Sequence, residues 1–448
     1  MLQLDAQVVT VALPRLQTEL GFSVTSLSWV PNAYALAFGG LLLLGGRLGD
    51  VLGRVRVFTL GTAIFALASV LAGVAQEPTT MIVARVLQGV GSAVAAPSIL
   101  ALVVSLARTQ RERTRGLTLF TAASAVGSSV GLILGGLLTT LASWRWGLLI
   151  NLPIGLFVVL VVRRVVPEID RHRGSIDVPG AVTVTGGSVA LIFGLLRAAE
   201  ISWTDPVTVI AFAVAAVLLT ACVFVERRAV HPLIDAALLR NRARTGALTV
   251  MGATVGAHFA MIYLVVQYDQ RGLEFDPLQA GLAFLPLTVT VLVLSQIVPP
   301  LLSRVGAQAL TVAGTLLVTL SFVGFAMLDA GSSYLTGVLP ALLVHSVGVA
   351  FVFNATTVEV MSGLENTDTG AMSGLLQTGQ QLGGSFGIAV AVATIAATGG
   401  RSGETEEFID ALPAGFQAAG VVALLAALVA AFTMRTPKRR SPATPSTT

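Results

Sequence analysis

The chain has 448 residues, of which 54% are hydrophobic and 11% are charged, and its mean hydropathy is +0.85. Soluble domains carry about 25% charged residues, so this composition excludes a protein whose whole surface faces water. The formal net charge of +4 does not indicate nucleic-acid binding, because the basic residues are scattered over short loops rather than gathered on one face.

The sequence offers no basis for enzymatic chemistry. Its single cysteine, Cys222, excludes a disulfide within the chain, and no spacing of cysteine and histidine is typical of a metal site. A nucleophile–base set, a phosphate-binding loop and an extramembrane domain are all absent from the sequence. We therefore expect no metal and no cofactor, and the alternative of a membrane enzyme or receptor lacks support.

Long apolar segments follow one another along the whole chain. A membrane-spanning helix needs about 20 mostly apolar residues. On that measure the sequence predicts fourteen helices, the first of them short, near residues 1–14, 27–46, 56–75, 80–106, 115–141, 146–166, 176–197, 204–226, 246–268, 277–300, 308–328, 334–361, 370–398 and 412–434. We therefore expect an all-α, polytopic membrane protein.

The segments group into two similar halves. We predict an N-terminal six-helix bundle over 1–166, two linking helices with their loops over 167–245, a C-terminal six-helix bundle over 246–434, and a disordered tail over 435–448. Only four residues precede Asp5, so the first helix lacks its cytoplasmic half. Either the natural start lies upstream, or this copy is inactive.

Basic loops alternate with acidic or neutral ones. Because positively charged loops stay in the cytoplasm, both termini are predicted inside a cell that carries the protein in its plasma membrane. The basic loops are those with Arg47, Arg54 and Arg56; Arg108 to Arg115; Arg163 to Arg173; Arg227 to Arg244; Arg304; and the tail from Arg435.

The segment from Gly46 to Arg56, GRLGDVLGRVR, is predicted to be a loop between two spanning helices. Gly49 and Gly53 permit a tight turn, and Asp50 can meet Arg54 and the positive N-terminal end of a neighbouring helix. We expect this segment to act as a latch on the cytoplasmic side. Positive-inside charge alone explains the arginines but leaves Asp50 unexplained.

A weaker copy of this segment, LLSRVG, ends at Gly306, 253 residues after Gly53. Recurrence of the same helix–loop–helix device predicts a duplicated membrane transporter.

Several motifs together resemble the major facilitator superfamily, and more narrowly its fourteen-helix drug–proton antiporter family. The segment 46–56 is similar to the superfamily signature G-x-L-x-D-x-x-G-R. Four other segments resemble motifs of the narrower family: LDAQVVTVALP (4–14), WVPNAY (29–34), WRW through NLP (144–153) and DPLQAG (276–281). The resemblance implies two six-helix bundles with two extra central helices.

Asp5 is the first candidate for coupling a proton to a substrate. If Leu13 and Pro14 mark the outer end of helix 1, Asp5 lies about 12 Å inward, near the midplane of a roughly 30 Å core. A carboxylate there holds a proton or a cationic substrate but hardly both, which is a physical basis for antiport. The resemblance implies a role in substrate recognition. The alternative is a structural acid satisfied by neighbouring hydroxyls.

Arg85 is the second candidate, within the predicted fourth helix. A guanidinium does not deprotonate in proteins, so Arg85 can only hold or release a nearby carboxylate. The resemblance links this arginine to proton coupling. The alternative is an arginine that reaches the outer membrane interface.

Glycines on the fifth predicted helix, Gly127, Gly131, Gly135 and Gly136, resemble a motif associated with antiporters. Spacing by four places the first three on one face, where they permit close packing against a partner helix. The proline that the family usually has after the second glycine is Leu132 here.

Five further residues are candidates for a cavity lining: Tyr34, His258, His345, Gln377 and Gln380. The two histidines can serve a proton path, or each can be a satisfied packing residue. The other three are selected on polarity alone.

The sequence therefore predicts a proton-coupled efflux transporter that exports amphipathic, often cationic drugs or metabolites by alternating access. A proton-coupled importer of a small metabolite on the same fold is the alternative, and the glycine face of helix 5 argues against it. We expect a monomer whose partners are a lipophilic small molecule, protons and membrane lipid. Its energy source is the proton gradient.

Overall fold

A computed structural model of the chain describes residues 1–22, 27, 29–167, 178–226, 236–329, 331–364, 368–398 and 405–434. The predicted tail over 435–448 lies outside these residues, as do the linker segments 168–177 and 227–235. Within the described ranges every regular element is a helix, and no strand is present.

The first lobe is a helical bundle that ends at Val165. In the described residues it consists of α1 (Leu2–Leu20), α2 (Trp29–Leu52), α3 (Arg54–Gly73), α4 (Pro78–Leu106), α5 (Gln110–Leu141), α6 (Trp144–Leu149) and α7 (Asn151–Val165). Two helices follow it, α8 (Val178–Glu200) and α9 (Pro206–Glu226).

The second lobe is a similar bundle. Its described helices are α10 (Ala236–Arg240), α11 (Arg242–Arg271), α12 (Pro277–Leu282), α13 (Leu285–Val305), α14 (Ala307–Phe325), a π-helical turn (Tyr334–Val338), α15 (Leu339–Val360), α16 (Thr369–Ala397) and α17 (Thr405–Thr433).

Thirteen segments of the described chain are long and apolar enough to cross a membrane, and α6 with α7 and α12 with α13 each share one crossing. The apolar part of α1, Leu2–Leu13, is a shorter additional segment. The prediction of an all-helical polytopic membrane protein is confirmed.

Two helix starts follow from capping sequences. Thr109 accepts a hydrogen bond from the Glu112 backbone N–H, and the Glu112 side chain accepts one from the Thr109 backbone in return. Asp276 and Gln279 form the same reciprocal pair at the start of α12. Each pair satisfies backbone donors that a helix N-terminus leaves free.

The helices of each lobe pack on one another, and a smaller set of helices joins the two lobes. In the first lobe α2 and α3 pack along α4, and α1 packs along α5; in the second, α11 packs along α16 and α17, and α14 along α15. Between the lobes, α2 and α4 contact α16, while α5 contacts α12 and α13. The two extra helices α8 and α9 pack on each other, and α8 also lies against α2 and α16.

The lobes share a core at one end of the molecule, the end that carries Arg54 and Arg244, here called the basic end. There a single apolar cluster contains Leu100 and Leu117 of the first lobe together with Met372 of the second. At the opposite end each lobe has a separate cluster made of its own residues. The two cores therefore merge at the basic end and stay apart at the other.

The prediction of a loop over 46–56 is wrong, because nearly all of this segment is helical. Helix α2 continues through Gly46, Gly49 and Asp50 to Leu52, and α3 begins two residues later. Gly53 alone makes the turn, with φ at 102°. This left-handed conformation suits glycine because it has no Cβ.

The predicted outer end of the first helix is also wrong. Helix α1 continues through Pro14 to Leu20 and ends at Gly21, whose φ is 71°. Asp5 therefore lies about 22 Å from the outer end of α1, at 1.5 Å per residue, rather than about 12 Å.

The same glycine turn precedes the third helix of each lobe. Gly306 precedes α14 as Gly53 precedes α3, and its φ is also positive, at 83°. Two turns of the same unusual conformation, 253 residues apart, mark equivalent positions in the two lobes.

Candidate functional site

Four helices of the first lobe place polar side chains around Asp5. Asp5 lies on α1, Ser69 on α3, Arg85 and Gln88 on α4, and Asn151 at the start of α7. Arg85 is 1% exposed and the other four are 0% exposed. Buried polar groups cost free energy unless they are hydrogen-bonded, so their mutual contacts decide whether the cluster is stable.

Three N–H donors converge on the Asp5 carboxylate. Arg85 Nη1 donates to Oδ2 at 2.6 Å, and Gln88 Nε2 donates to Oδ1 at 3.0 Å. Asn151 Nδ2 also donates to Oδ1, at 2.8 Å. A carboxylate surrounded by donors in this way is in the arrangement that fits its ionised form.

The cluster is cross-linked by Ser69. Its Oγ accepts from the same two amides, Gln88 Nε2 at 2.8 Å and Asn151 Nδ2 at 2.9 Å. Removing one partner of a buried ion pair costs about 3–5 kcal/mol, because the other charge is left uncompensated. Asp5 and Arg85 are therefore tied to each other energetically as well as in space.

Arg85 also connects the cluster to α2. Its Nε donates to the Val30 carbonyl at 3.1 Å, and its guanidinium carbon lies 4.6 Å from the centre of the Tyr34 ring. The Tyr34 hydroxyl donates to Ser92 Oγ at 3.1 Å. The alternative that Arg85 reaches the membrane interface is wrong, because this side chain is sealed inside the lobe.

The glycine face of α5 packs directly on α1. A Cβ at Gly131 would lie 2.6 Å from the Leu4 carbonyl oxygen, and one at Gly135 would lie 2.8 Å from Val8 Cα. Leu4 and Val8 stand on either side of Asp5 in the sequence, so this close approach sets the position of Asp5.

The other two glycines of the predicted face behave differently. A Cβ at Gly127 would make an ordinary contact, 3.6 Å from Gln3 Cβ. A Cβ at Gly136 would lie 3.4 Å from Leu278 Cδ1 of α12 in the second lobe. Gly136 therefore belongs to the interface between lobes rather than to the contact with α1.

A second polar site lies at the basic end. Asp50 Oδ1 accepts from Arg54 Nε at 3.2 Å and from Arg54 Nη2 at 2.9 Å, while Oδ2 accepts from the Ala371 backbone N–H at 3.2 Å. Ala371 is in the first turn of α16, so the carboxylate sits at the positive end of a second-lobe helix. Arg54 also donates to the Ala101 carbonyl at 3.4 Å and to Ser105 Oγ.

Glycines permit this contact between lobes. A Cβ at Gly370 would lie 2.6 Å from Asp50 Cγ, and one at Gly46 would meet the Gly370 carbonyl. Gly49 allows α2 to approach α4, since its Cβ would lie 2.9 Å from Ser98 Oγ.

The remaining cavity candidates lie in the second lobe. Gln377 and Gln380 are half-buried on α16, and Gln377 Nε2 donates to a carbonyl of its own helix, that of Ser373, at 3.5 Å. His258 and His345 lie on different helices, and their rings stack with centroids 5.3 Å apart. Among the described residues, neither glutamine is brought to the Asp5 cluster.

Sequence reasoning missed most partners of Asp5. Gln88 was detectable, because it lies three residues after Arg85 and so shares its helix face. Asn151 is a polar residue within an apolar segment, whereas Ser69 gave no signal. Asp269 was missed as well: it is 0% exposed on α11, and in the described part of the chain neither of its carboxylate oxygens has a hydrogen-bond partner.

A polar contact at the opposite end holds α1 to α6. Trp144 Nε1 donates to Glu19 Oε2 at 2.9 Å, and Arg145 Nη1 donates to the same oxygen at 2.7 Å. The hydrogen bond from Trp144, followed by that from Arg145, lowers the pKa of the Glu19 carboxyl below its ordinary value.

Taken together, a helical membrane protein of two duplicated lobes carries a buried ion pair in one lobe and a polar bridge between the lobes. This architecture defines a multi-pass membrane transporter, not an enzyme. A profile of the Major Facilitator Superfamily matches residues 1–388. The chain belongs to this superfamily.

Its relatives include proteins of antibiotic resistance and export. The chain is 38% identical to the puromycin resistance protein pur8 of Streptomyces alboniger over 396 residues, which are 86% of this chain and 78% of that protein. It is 38% identical to the cephamycin export protein CmcT of Amycolatopsis lactamdurans, over 86% of this chain and 80% of the relative.

The fold is similar to that of the human organic anion transporter MFSD10 (TETRAN). The TM-score is 0.67 at 18% sequence identity, and the match covers 96% of each chain. At this identity the likeness extends to the fold alone.

Proposed function

We propose that this transporter is a proton-driven antiporter that exports amphipathic, often cationic drugs or metabolites. The observation that carries the proposal is the buried ion pair of Asp5 and Arg85 with its three converging donors. The relatives named for puromycin resistance and cephamycin export support the direction of transport and the substrate class, and they do not favour import.

The ion pair ties proton binding to a change of conformation. A proton on Asp5 removes the negative charge that compensates Arg85, and an uncompensated buried cation costs several kcal/mol. The lobe avoids this cost if Arg85 moves or if water reaches the cluster. Proton binding and helix movement are then one event, as an antiporter requires.

The same carboxylate serves the substrate. A cationic drug that displaces Arg85 from Asp5 weakens the binding of a proton there, because both ligands need the single negative charge. Proton and drug therefore exclude each other at Asp5, and each cycle exchanges one for the other.

The gate in this proposal is the bridge from Asp50 to Ala371. In the present conformation it joins α2 of one lobe to α16 of the other at the basic end, where the apolar cores also merge. We assign the basic end to the cytoplasm, with both termini inside and the protein in the plasma membrane, because arginine-rich loops stay on that side. Access to Asp5 then opens from outside while the bridge is closed.

The working unit is proposed to be a monomer in membrane lipid that needs no cofactor besides the proton gradient. In this proposal each lobe of one chain lines one side of the substrate path, and the contacts between the lobes of that chain provide the interface that moves.

Reconstituted transport tests the proposal. Proteoliposomes with an imposed pH gradient are expected to move tetraphenylphosphonium or puromycin against its own gradient. Asp5→Asn is expected to abolish this transport, whereas Asp410→Asn, the same change at an exposed position of α17, leaves it unchanged. Transport that survives in Asp5→Asn at the wild-type level refutes the assigned role.

A further inference from the structure

The second lobe contains a chain of hydrogen bonds built from two histidines and a serine. His258 Nδ1 on α11 lies 3.1 Å from His345 Nε2 on α15. His345 Nδ1 lies 3.0 Å from Ser321 Oγ on α14, and Ser321 donates to the Val318 carbonyl at 2.6 Å. His345 is 0% exposed, whereas His258 keeps part of its surface accessible.

The hydrogen-bond directions fix which nitrogen is free. The shorter contact of Ser321 Oγ, to the Val318 carbonyl, assigns the single hydroxyl proton to that carbonyl, so Ser321 Oγ accepts from His345 Nδ1–H. His345 Nε2 is then unprotonated and accepts from His258 Nδ1–H. The remaining ring nitrogen, His258 Nε2, therefore carries a lone pair, and among the described residues it has no hydrogen-bond partner.

The hydrogen-bonded group of His258, His345 and Ser321 occupies in the second lobe the position that the Asp5 cluster has in the first. His258 is 253 residues after Asp5, the same separation as between the equivalent turn glycines Gly53 and Gly306. His258 on α11 thus takes the place of Asp5 on α1.

Helix packing extends the equivalence to the second histidine. Gly61 packs against Gly91 between α3 and α4 as Gly314 packs against Gly348 between α14 and α15. Gly348 is 257 residues after Gly91, and the same separation relates His345 to Gln88. Gln88 contacts Asp5 and Ser69, just as His345 contacts His258 and Ser321.

Aromatic rings surround the pair. Phe322 and Phe325 make T-shaped contacts with His345, with centroids at 5.6 and 6.3 Å, and Phe353 makes one with His258 at 5.9 Å. In such contacts the edge of one ring points at the face of the other, so these rings pack against the pair without offering it a hydrogen-bond acceptor.

No charged side chain lies near the pair along the helices that pack around it. Helices α14 and α16 contain no Asp, Glu, Lys or Arg. On α11 the nearest charged residue is Asp269, about 16 Å along the helix from His258, and on α15 Glu359 is about 21 Å from His345. Helix α17 carries Asp410, about 9 Å along its axis from Phe416, which stacks on Phe325.

We propose that His258 Nε2 is a second proton-binding site, in the second lobe, with His345 and Ser321 as the residues that orient it. A proton from water adds to the Nε2 lone pair, and the resulting imidazolium keeps donating through Nδ1 to His345. The pair takes one proton and not two, because two imidazolium rings in contact repel each other strongly. The lobes then bind protons with unlike groups: a paired carboxylate in one, and in the other a histidine that has no counter-ion among the described residues.

Histidine NMR tests this site without any transport measurement. The chain has four histidines, so ¹⁵N-histidine labelling of the full protein in lipid nanodiscs gives few resonances, and His172 and His231 serve as internal controls. Above about pH 8 we expect both His258 and His345 as Nδ1–H tautomers. On acidification to about pH 5, one proton is expected at His258 while His345 stays neutral.

Substitutions at His345 separate an orienting role from packing. His345→Leu removes the acceptor and is expected to weaken proton binding at His258 by about 10-fold to 100-fold, which corresponds to the loss of one hydrogen bond to a charged group. His345→Gln, which copies the residue type of Gln88, restores an acceptor and is expected to recover it. A His258 found as the Nε2–H tautomer, or neutral while the two control histidines titrate, overturns the proposal.

A second measurement connects the site to exchange and rests on the proposed function. In proteoliposomes the number of protons moved per substrate is expected to fall by one in His258→Gln while substrate exchange continues. An unchanged number of protons per substrate in His258→Gln would show that His258 takes no part in the exchange. Absence of pH-driven transport in the wild-type protein overturns the proposed antiport instead, and the NMR titration still decides whether His258 binds a proton.

Discussion

The bridge between lobes is open to a direct test by adding one methyl group. In Gly370→Ala the new Cβ would lie 2.6 Å from Asp50 Cγ, so the carboxylate must move away from α16. The hydrogen bond from the Ala371 N–H to Asp50, now 3.2 Å, is then lost. A hydrogen bond to a charged group contributes about 1.5–3 kcal/mol, and 1.4 kcal/mol is a tenfold change in an equilibrium. The ratio of closed to open basic ends should therefore fall by about 10-fold to 100-fold.

Distances between spin labels measure this ratio. The chain has one cysteine, so Cys222→Ala gives a background in which label pairs can be placed freely. Arg111 and Ser303 are exposed at the basic ends of α5 and α13, on different lobes. A pair at these two positions reports opening there, and Gly370→Ala is expected to add a longer distance that the wild-type protein lacks.

A matched glycine provides the control. Gly379 lies on the same helix, and a Cβ there would have no atom within 4 Å. Gly379→Ala should therefore leave the distances unchanged. Leu141 and Met327 are both 76% exposed at the opposite end. In Gly370→Ala the distance between labels at these two positions should become shorter, because opening of the basic end closes the opposite end. If both alanine variants give the wild-type distances, the Asp50 bridge does not hold the gate.

Three further substitutions test the surrounding structure. Gly131→Ala forces α5 against the backbone of α1 and should lower the free energy of unfolding by about 1–3 kcal/mol in thermal denaturation, whereas Gly127→Ala has room for its methyl group. Glu19→Gln should lower the melting temperature at pH 7, because the hydrogen bond from Trp144 stabilises the ionised carboxylate. Since the pKa of Glu19 is lower in the folded state, this difference should shrink as the pH falls below about 4.3. Arg85→Lys should reduce pH-driven transport about tenfold, because an ammonium group lacks the planar fork that reaches several acceptors.

Each of these expectations has a contrary result. Equal stability of the two glycine variants would mean that α1 and α5 can separate without cost. A melting difference for Glu19→Gln that stays constant across the acidic range would exclude the carboxylate charge as its source. Transport at the wild-type rate in Arg85→Lys would mean that the charge alone is needed at this position.

The sequence was sufficient to predict the helices because a membrane imposes a length on apolar segments. It also pointed to Asp5 and Arg85, since charged residues in such segments are costly and need a reason. It failed at 46–56, where three glycines and several charges resembled a loop. Only Gly53 has the positive φ of a turn, and the rest of that segment is helical up to Leu52 or belongs to α3.

The partners of the charged residues were beyond sequence reasoning. Gln88 and Asn151 meet Asp5 across 83 and 146 residues of chain. His258 and His345 meet across 87 residues, and read separately each resembled an ordinary packing histidine. Such contacts depend on how helices are arranged around one another, and neither periodicity nor composition encodes that arrangement. The duplication is the exception, because the separation of two turn glycines also locates His258 opposite Asp5.

Helix α2 connects the two sites of the first lobe. Near its start, the Val30 carbonyl and the Tyr34 ring hold Arg85; near its end, Asp50 reaches α16 of the other lobe. The two ends are about 30 Å apart, too far for a charge at one to act directly on the other through a screened medium. A continuous helix, however, moves as one body. In the proposed cycle a proton on Asp5 releases Arg85, which stays hydrogen-bonded to the Val30 carbonyl. When Arg85 then moves, α2 moves with it. The same movement of α2 displaces Asp50 and weakens its hydrogen bond to Ala371. Coupling then needs no chain of intermediate residues, only a helix with two alternative positions that both sites bias.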